Sequence, residues 1–186
     1  MTSEQAFLLI NRMPVSPGPI PQNWADLGCG SGTFTEALAR MLPARSIVYG
    51  VDKGAGLHPH TTANGVSILS RQVDFLSEEL GLYHLDGILM ANSLHYVKDK
   101  PAFLLGLKAS LKPGASFLIV EYDTDRAVPT WVPYPISFAS LQGLFHAAGY
   151  GGVQKLASQP SVYHSGDLYA AFISTAPNLS ESPARK

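Results

Sequence analysis

Asp26-Leu27-Gly28-Cys29-Gly30-Ser31-Gly32-Thr33-Phe34 sets three glycines at alternate positions, directly after the apolar segment Trp24, Ala25, Leu27 and ahead of a helical pattern. Glycine lets the backbone turn sharply and lets a ligand approach without a Cβ in the way. A strand that ends in such a loop and feeds a helix N-terminus is a cradle for a nucleotide-like cofactor. A dinucleotide fingerprint spaces its glycines Gly-x-Gly-x-x-Gly. Here the third glycine arrives one residue early, as Gly-x-Gly-x-Gly. The loop therefore sets the fold class, and the rest of the chain decides the occupant.

Working outward, strand and helix patterns alternate. Residues 1–13 read as a short helix with Phe7, Leu8 and Ile10 on its apolar side, and Met13 to Pro21, with four prolines, must be extended or turning. A strand at 23–27 precedes the glycine loop, and a helix at 34–42 stops at Pro43. Strands follow at 46–51, 66–73 and 85–90, then a helix from about 98 to 111. The turn Pro113-Gly114 leads into a strand at 116–122. This alternation predicts an α/β fold with a doubly wound, Rossmann-like, mostly parallel sheet. A helix at 136–148 and strands at 153–157 and 168–174 complete the pattern; no helix joins the last two strands, so they pair antiparallel. The polar tail 176–186 reads as frayed.

Ligands of open α/β sheets sit beyond the carboxyl ends of the strands. Asp52 ends the second strand, twenty residues after Gly32, where a carboxylate accepts bonds from two ribose hydroxyls. Asp74 ends the third, placed to meet an exocyclic adenine amine, and Phe75 beside it offers a wall for the base. Asp26 is placed to receive an ammonium. Helix capping explains either Asp52 or Asp74 alone equally well, but two acids at the correct strand tips after this loop favour a site. An aromatic at Phe75 also suits a core. No Gly-x-x-x-x-Gly-Lys-Ser/Thr is present, which excludes that nucleoside-triphosphate motif.

The 186 residues suit one domain, with a net charge of −1 and no Lys/Arg block. Nucleic acid is therefore not expected as a partner. The single cysteine, Cys29, makes no intramolecular disulfide and fits a reducing, cytoplasmic setting. It reads as a small residue tolerated between glycines, not as a reactive thiol. The five-residue apolar run at Ala6 to Ile10 is not a signal peptide, and no segment reaches the length of a membrane span. His58-Pro59-His60 lacks a third ligand, so no metal is expected.

Asp26 to Phe34 resembles motif I of the class I S-adenosylmethionine (SAM) methyltransferases. Val48-Tyr49-Gly50-Val51-Asp52 resembles the following motif with its ribose-binding acid, and Val73-Asp74-Phe75 is similar to the adenine motif. Asp86 to Val97, containing Asn92-Ser93-Leu94-His95-Tyr96, looks like the fourth-strand motif of the small-molecule members, and Leu111-Lys112-Pro113-Gly114 resembles their approach to strand five. Together these cover about residues 22–174. The resemblance implies a seven-stranded sheet with an antiparallel last strand, a methyltransferase domain over 22–175 preceded by an N-terminal cap over 1–21, and a monomer or homodimer. It implies SAM as cofactor, S-adenosylhomocysteine as product, and Asp26, Gly28, Cys29, Gly30, Gly32, Asp52, Lys53, Asp74, Phe75 and Asn92 as the residues that hold it. The chain departs from the family after Asp52. Gly54, Gly56, Pro59 and Gly65 leave any helix there short or broken.

Methyl transfer from a sulfonium needs alignment of the nucleophile and exclusion of water, and a base only if the acceptor must lose a proton. His95 is the first choice for that base, with packing or cofactor contact as the competing reading. Tyr96 stands beside it. Tyr122 and Trp131 are candidates to contact the acceptor, and the aperiodic segment 124–135 reads as a lid or as plain structure. The fourth-strand tip is not Asn/Asp-Pro-Pro-Tyr/Phe, and there is no Pro-Cys nucleophile or thiol cluster. A small organic acceptor remains. The competing classes are an NAD(P)-dependent oxidoreductase, for which Tyr96 and Lys100 supply a Tyr-x-x-x-Lys spacing, and a non-catalytic SAM-binding module.

Overall fold

The computed structural model describes residues 1–14, 18–160 and 167–175. The expected frayed tail, 176–186, lies outside them. In chain order the elements are α1 (Ser3–Ile10), β1 (Asn23–Leu27), α2 (Thr33–Ala39), β2 (Ile47–Asp52), β3 (His60–Thr61), β4 (Ser67–Gln72) and β5 (Leu85–Ala91). There follow α3 (Lys100–Leu107), β6 (Leu111–Tyr122), α4 (Phe138–Ala147), β7 (Gly152–Pro160) and β8 (Asp167–Ser174). The strands form one eight-stranded sheet in the order β3-β4-β2-β1-β5-β6-β8-β7. β4, β2, β1, β5 and β6 run parallel, and β8 inserts antiparallel between β6 and β7.

The expected seven strands become eight because His60–Thr61 pairs antiparallel with Ser67 and Ile68. A turn closed by Thr62 N–H donating to Val66 O (2.9 Å), with Gly65 at φ +81°, makes this small hairpin. Asn64-Gly65 carries the sequence signal for it. The expected helices are shorter at their ends. α1 starts at a Thr2/Gln5 capping box, and α3 starts at Lys100 behind the Asp99 cap, with Pro101 in its first turn. No helix follows β2 or β4.

Strand alternation sorts the core onto two faces. Ala25, Leu27, Ile88, Met90, Phe117 and Ile119 face Leu104 and Leu107 of α3 and Leu141 and Phe145 of α4. Trp24, Val48, Leu89, Leu118 and Val120 face Leu9 and Ile10 of α1 and Ala37 and Leu38 of α2. β1 lies between β2 and β5, which are reached by crossovers in opposite directions. The crevice at this switch point opens where β1 and β5 end.

Candidate active site

The glycine loop leaves β1 with Gly28 and Cys29 N–H both donating to Val51 O (2.8 and 3.2 Å), so it stays docked on β2. Gly28 and Gly32 have φ of +80° and +90°. A Cβ on Gly28 would lie 2.6 Å from Ser93 Cβ, and one on Gly32 would lie 2.5 Å from Leu57 Cδ1, so both positions demand glycine for conformation and for space. Gly30 also has positive φ, but a Cβ there would meet nothing within 4 Å. Its N–H donates to Asp52 Oδ2 (2.9 Å), and Gly54 N–H donates to Asp52 Oδ1 (2.8 Å). Each carboxylate oxygen keeps a further lone pair for a ligand donor.

A cleft of about 270 Å³ opens beside this loop, lined by Gly28, Asp52, Lys53, Asp74, Phe75, Asn92, Ser93 and Tyr96 among others. Seven of the residues expected from sequence thus converge. Asp74 also accepts from Leu76 N–H (3.1 Å), so it starts a turn as well as facing the cleft. Phe75 packs edge-on against Phe103 at 6.0 Å, which fixes its ring at the cleft wall. The remaining cofactor candidates, Asp26, Cys29, Gly30 and Gly32, lie outside the lining and build the loop and its support.

Asp26 is 1% exposed. Thr35 Oγ1 donates to its Oδ2 (2.6 Å), while Oδ1 is buried with no hydrogen-bond partner. Burial pushes this carboxyl up to about 7; Thr35 draws it back and the Asp52 charge raises it further. Asn92 sits in the left-handed region at φ +55°, and its Oδ1 is also buried without a partner. Two orphaned acceptors at the switch point are a fit for a ligand that brings donors, because leaving each bare costs about 1–3 kcal/mol. Burial and the Asp26 and Asp52 charges push the Cys29 thiol up to about 12, so it is no thiolate nucleophile.

His95 follows β5 in a one-turn 3-10 helix (Leu94–Tyr96) and is 2% exposed. Its backbone N–H donates to Glu121 Oε1 (3.0 Å), and its Nδ1 lies 2.8 Å from Glu121 Oε2. Glu121, the last residue but one of β6, is fully buried. Its pairing with His95 is the part of the site that sequence reading missed, since only the β5–β6 register reveals it. The His95 ring lies 4.4 Å from that of Tyr96 and 6.3 Å from that of Tyr122.

The segment after β6 is tied to this turn. Tyr134 N–H donates to His95 O (3.0 Å), and the buried Lys100 Nζ donates to Tyr134 O (2.6 Å) and Val97 O (3.0 Å). Lys100 is thereby spent, and Tyr96 is not on its helix, so the reductase-type Tyr–Lys pair does not form. Val128 and Val132 pair as a tight bridge with Thr130 at φ +80°. Val132 is buried, and its neighbour Trp131 is 62% exposed and does not line the cleft beside the glycine loop. The structure does not bring Trp131 to the site: alternation across the bridge turns Val132 inward and Trp131 outward. Among the described residues, no three His, Cys, Asp or Glu come together as a metal set; His60 pairs with Glu36 (2.8 Å). No helix among them is long and apolar enough to cross a membrane.

A family model described as a methyltransferase domain matches residues 3–155. The 2-phytyl-1,4-naphtoquinone methyltransferase of Nostoc punctiforme is 33% identical over 103 residues, 52% of this chain and 45% of that protein. The chain thus spans about half the length of the curated relative it matches. Human N-acetylserotonin methyltransferase, solved in complex with SAM, superposes with a TM-score of 0.64 at 18% identity, over 91% of this chain and 51% of that one. A SAM-dependent methyltransferase from Methanosarcina mazei superposes with a TM-score of 0.62 at 14% identity, over 84% of this chain and 93% of that one. These structural likenesses are of fold.

Proposed function

The chain belongs to the methyltransferase-domain family, and on that premise we propose that it transfers a methyl group from SAM to a small organic acceptor, releasing S-adenosylhomocysteine. The observation that carries this reading is the cleft at the switch point, where two strand-tip acids and two partnerless buried oxygens, Asp26 Oδ1 and Asn92 Oδ1, surround the glycine loop. When bound, SAM supplies a methyl already activated by its sulfonium. Asp52 accepts the ribose hydroxyls, and Asp74 accepts the adenine amine beside the Phe75 ring. Asp26 receives the ammonium from behind the glycine loop, and Asn92 takes a further donor through Oδ1. Gly28, Cys29, Gly30 and Gly32 shape the cradle, and Lys53 flanks the cleft. In the domain organisation we favour, 22–175 form the transferase domain and 1–21 its cap.

On the acceptor side, His95 takes the proton of a hydroxyl acceptor. With Nδ1 donating to Glu121 Oε2, the lone pair is left on Nε2. Glu121 then stabilises the imidazolium that forms. Because His95 is almost fully enclosed, it works on a group delivered between the Tyr96 and Tyr122 rings. Tyr96 closes the cofactor side of that gap.

Thermal shift and calorimetry with SAM, S-adenosylhomocysteine and NAD(H) test the assignment. Stabilisation by S-adenosylhomocysteine is expected. Stabilisation by NAD(H) alone would overturn it, and SAM binding without turnover over a broad acceptor panel would favour a non-catalytic module.

A further inference from the structure

A second cleft, of about 290 Å³, lies beyond Tyr122 and is lined by Tyr122, Thr124, Arg126, Val128, Pro129 and Val132. We propose that this cleft seats the methyl acceptor and that the acceptor carries a carboxylate held by Arg126. The proposal rests on the methyltransferase reading above.

Position comes first. Tyr96 lines the cofactor cleft and Tyr122 lines this one, and their rings lie 4.4 and 6.3 Å from the His95 ring. Each cleft is thus bordered by a tyrosine whose ring lies beside that of the candidate base, and on this proposal an acceptor in the second cleft turns its hydroxyl toward His95.

Charge comes next. The cofactor cleft holds two acids, Asp52 and Asp74, against one cation, Lys53, which suits a cationic sulfonium and ammonium. In the second cleft, Arg126 is the sole charged lining residue. Its guanidinium has no acid within ion-pair distance among the described residues. Neither neighbouring acid pairs with it directly, because both accept from other donors. Asp123 accepts from Phe138 N–H (2.8 Å) and Lys155 Nζ (2.9 Å). Asp125 accepts from Ser137 N–H (2.9 Å), Ser137 Oγ (2.7 Å) and Ser140 Oγ (3.0 Å). A lone guanidinium at the rim of a cleft that mixes apolar side chains (Val128, Pro129, Val132) with the hydroxyls of Tyr122 and Thr124 matches a small ring with a carboxylate at one end.

The walls are set in advance. The Val128–Val132 bridge, the Asp125 contacts to the start of α4 and the Tyr134–His95 bond hold the segment in place. A ligand therefore does not have to order the loop to gain the arginine. The volume is at the lower edge of the roughly 300–1,000 Å³ usual for small-molecule sites, so the acceptor is about one ring in size.

The test uses the full chain saturated with S-adenosylhomocysteine, titrated calorimetrically with 4-hydroxybenzoate and with 4-hydroxybenzamide, in which a neutral amide of similar shape replaces the carboxylate. The carboxylate is expected to bind at least about fivefold tighter than the amide. Arg126→Gln should weaken the carboxylate about tenfold, Arg126→Lys less, and neither should change the affinity for the amide or for S-adenosylhomocysteine. Equal binding of the two ligands, equal loss of both in Arg126→Gln, or no carboxylate binding by the loaded protein would overturn the proposal. Failure to bind S-adenosylhomocysteine in the first place would instead overturn the methyltransferase reading.

Discussion

If the ammonium of the cofactor pairs with Asp26, binding must compete with a proton. Burial holds the Asp26 carboxyl at about 7 in the free protein. At pH 5.5 about 3% of the molecules then carry the carboxylate, and at pH 7 about half do. Over that interval the α-amino group of S-adenosylhomocysteine, with an ordinary pKa of about 7.7–8.0, stays largely protonated. The dissociation constant should therefore fall about 15-fold between pH 5.5 and pH 7. 5′-Methylthioadenosine, which lacks the amino-acid part, should bind with no such slope. Asp26→Asn should abolish the slope and hold S-adenosylhomocysteine at its weak, low-pH affinity. The stability sign runs the other way. A carboxyl raised from 3.8 to about 7 keeps its proton in the folded state. The folded state is thus unpenalised below the unfolded value and loses about 4 kcal/mol as pH rises from about 4 to 7. Asp26→Asn should consequently raise the melting temperature of the free protein at pH 8 and leave it unchanged near pH 4. Calorimetry across pH measures the first effect and differential scanning fluorimetry the second. A flat dissociation constant between pH 5.5 and 7, or an Asp26→Asn variant that keeps the wild-type slope, would refute the pairing.

Asp52→Ala should weaken SAM by about 1–3 kcal/mol through lost charge-assisted bonds; unchanged affinity in calorimetry contradicts the ribose role. His95→Ala should lower turnover with cofactor affinity nearly intact, and Glu121→Gln should lower kcat while shifting the pH–rate profile, because the tautomer and imidazolium lose their partner. An unshifted profile in Glu121→Gln removes the dyad. Leu57→Ala should cost roughly 2–4 kcal/mol in chemical denaturation and also weaken S-adenosylhomocysteine, since this side chain fills the space over Gly32 and Gly50. A stability loss with cofactor affinity unchanged would show that the plug supports the core alone.

The parts legible in the sequence are those with local chemistry. Three glycines at alternate positions, acids at strand tips and a proline at the start of α3 each act within a few residues of where they stand. Asp52 and Asp74 were in reach because a strand end is a local event and the sheet then brings those ends together. Glu121 is legible as a strand-tip acid in the same way, but its pairing with His95 is not, because that partner is 26 residues away and only the in-register pairing of Ala91 with Val120 sets His95 over it. Segment 124–135 was legible as aperiodic but not as shaped. Its turn rests on Thr130 at φ +80°, a conformation that a β-branched residue rarely takes and that no local pattern announces. Trp131 was chosen for its type, and type says nothing about which side of a two-residue bridge a ring takes.

No helix follows β2, and the loop there supports the glycine cradle by other means. The loop from Lys53 to Pro59 puts Leu57, 7% exposed, over Gly32 and Gly50, while Asp52 clamps the backbone of Gly30 on one side and Gly54 on the other. One buried side chain and one carboxylate thus fix the cradle from above and below. Burial of a single leucine contributes about 1.5–3 kcal/mol, far less than a docked helix, so the cradle has little reserve. Asp52 is thus a structural clamp as well as the proposed ribose contact, and the two roles are separable. Removing the carboxylate loosens the loop in the free protein as well as the bond to the ribose, so Asp52→Asn, which keeps one acceptor oxygen, should recover part of the stability lost in Asp52→Ala but less of the affinity.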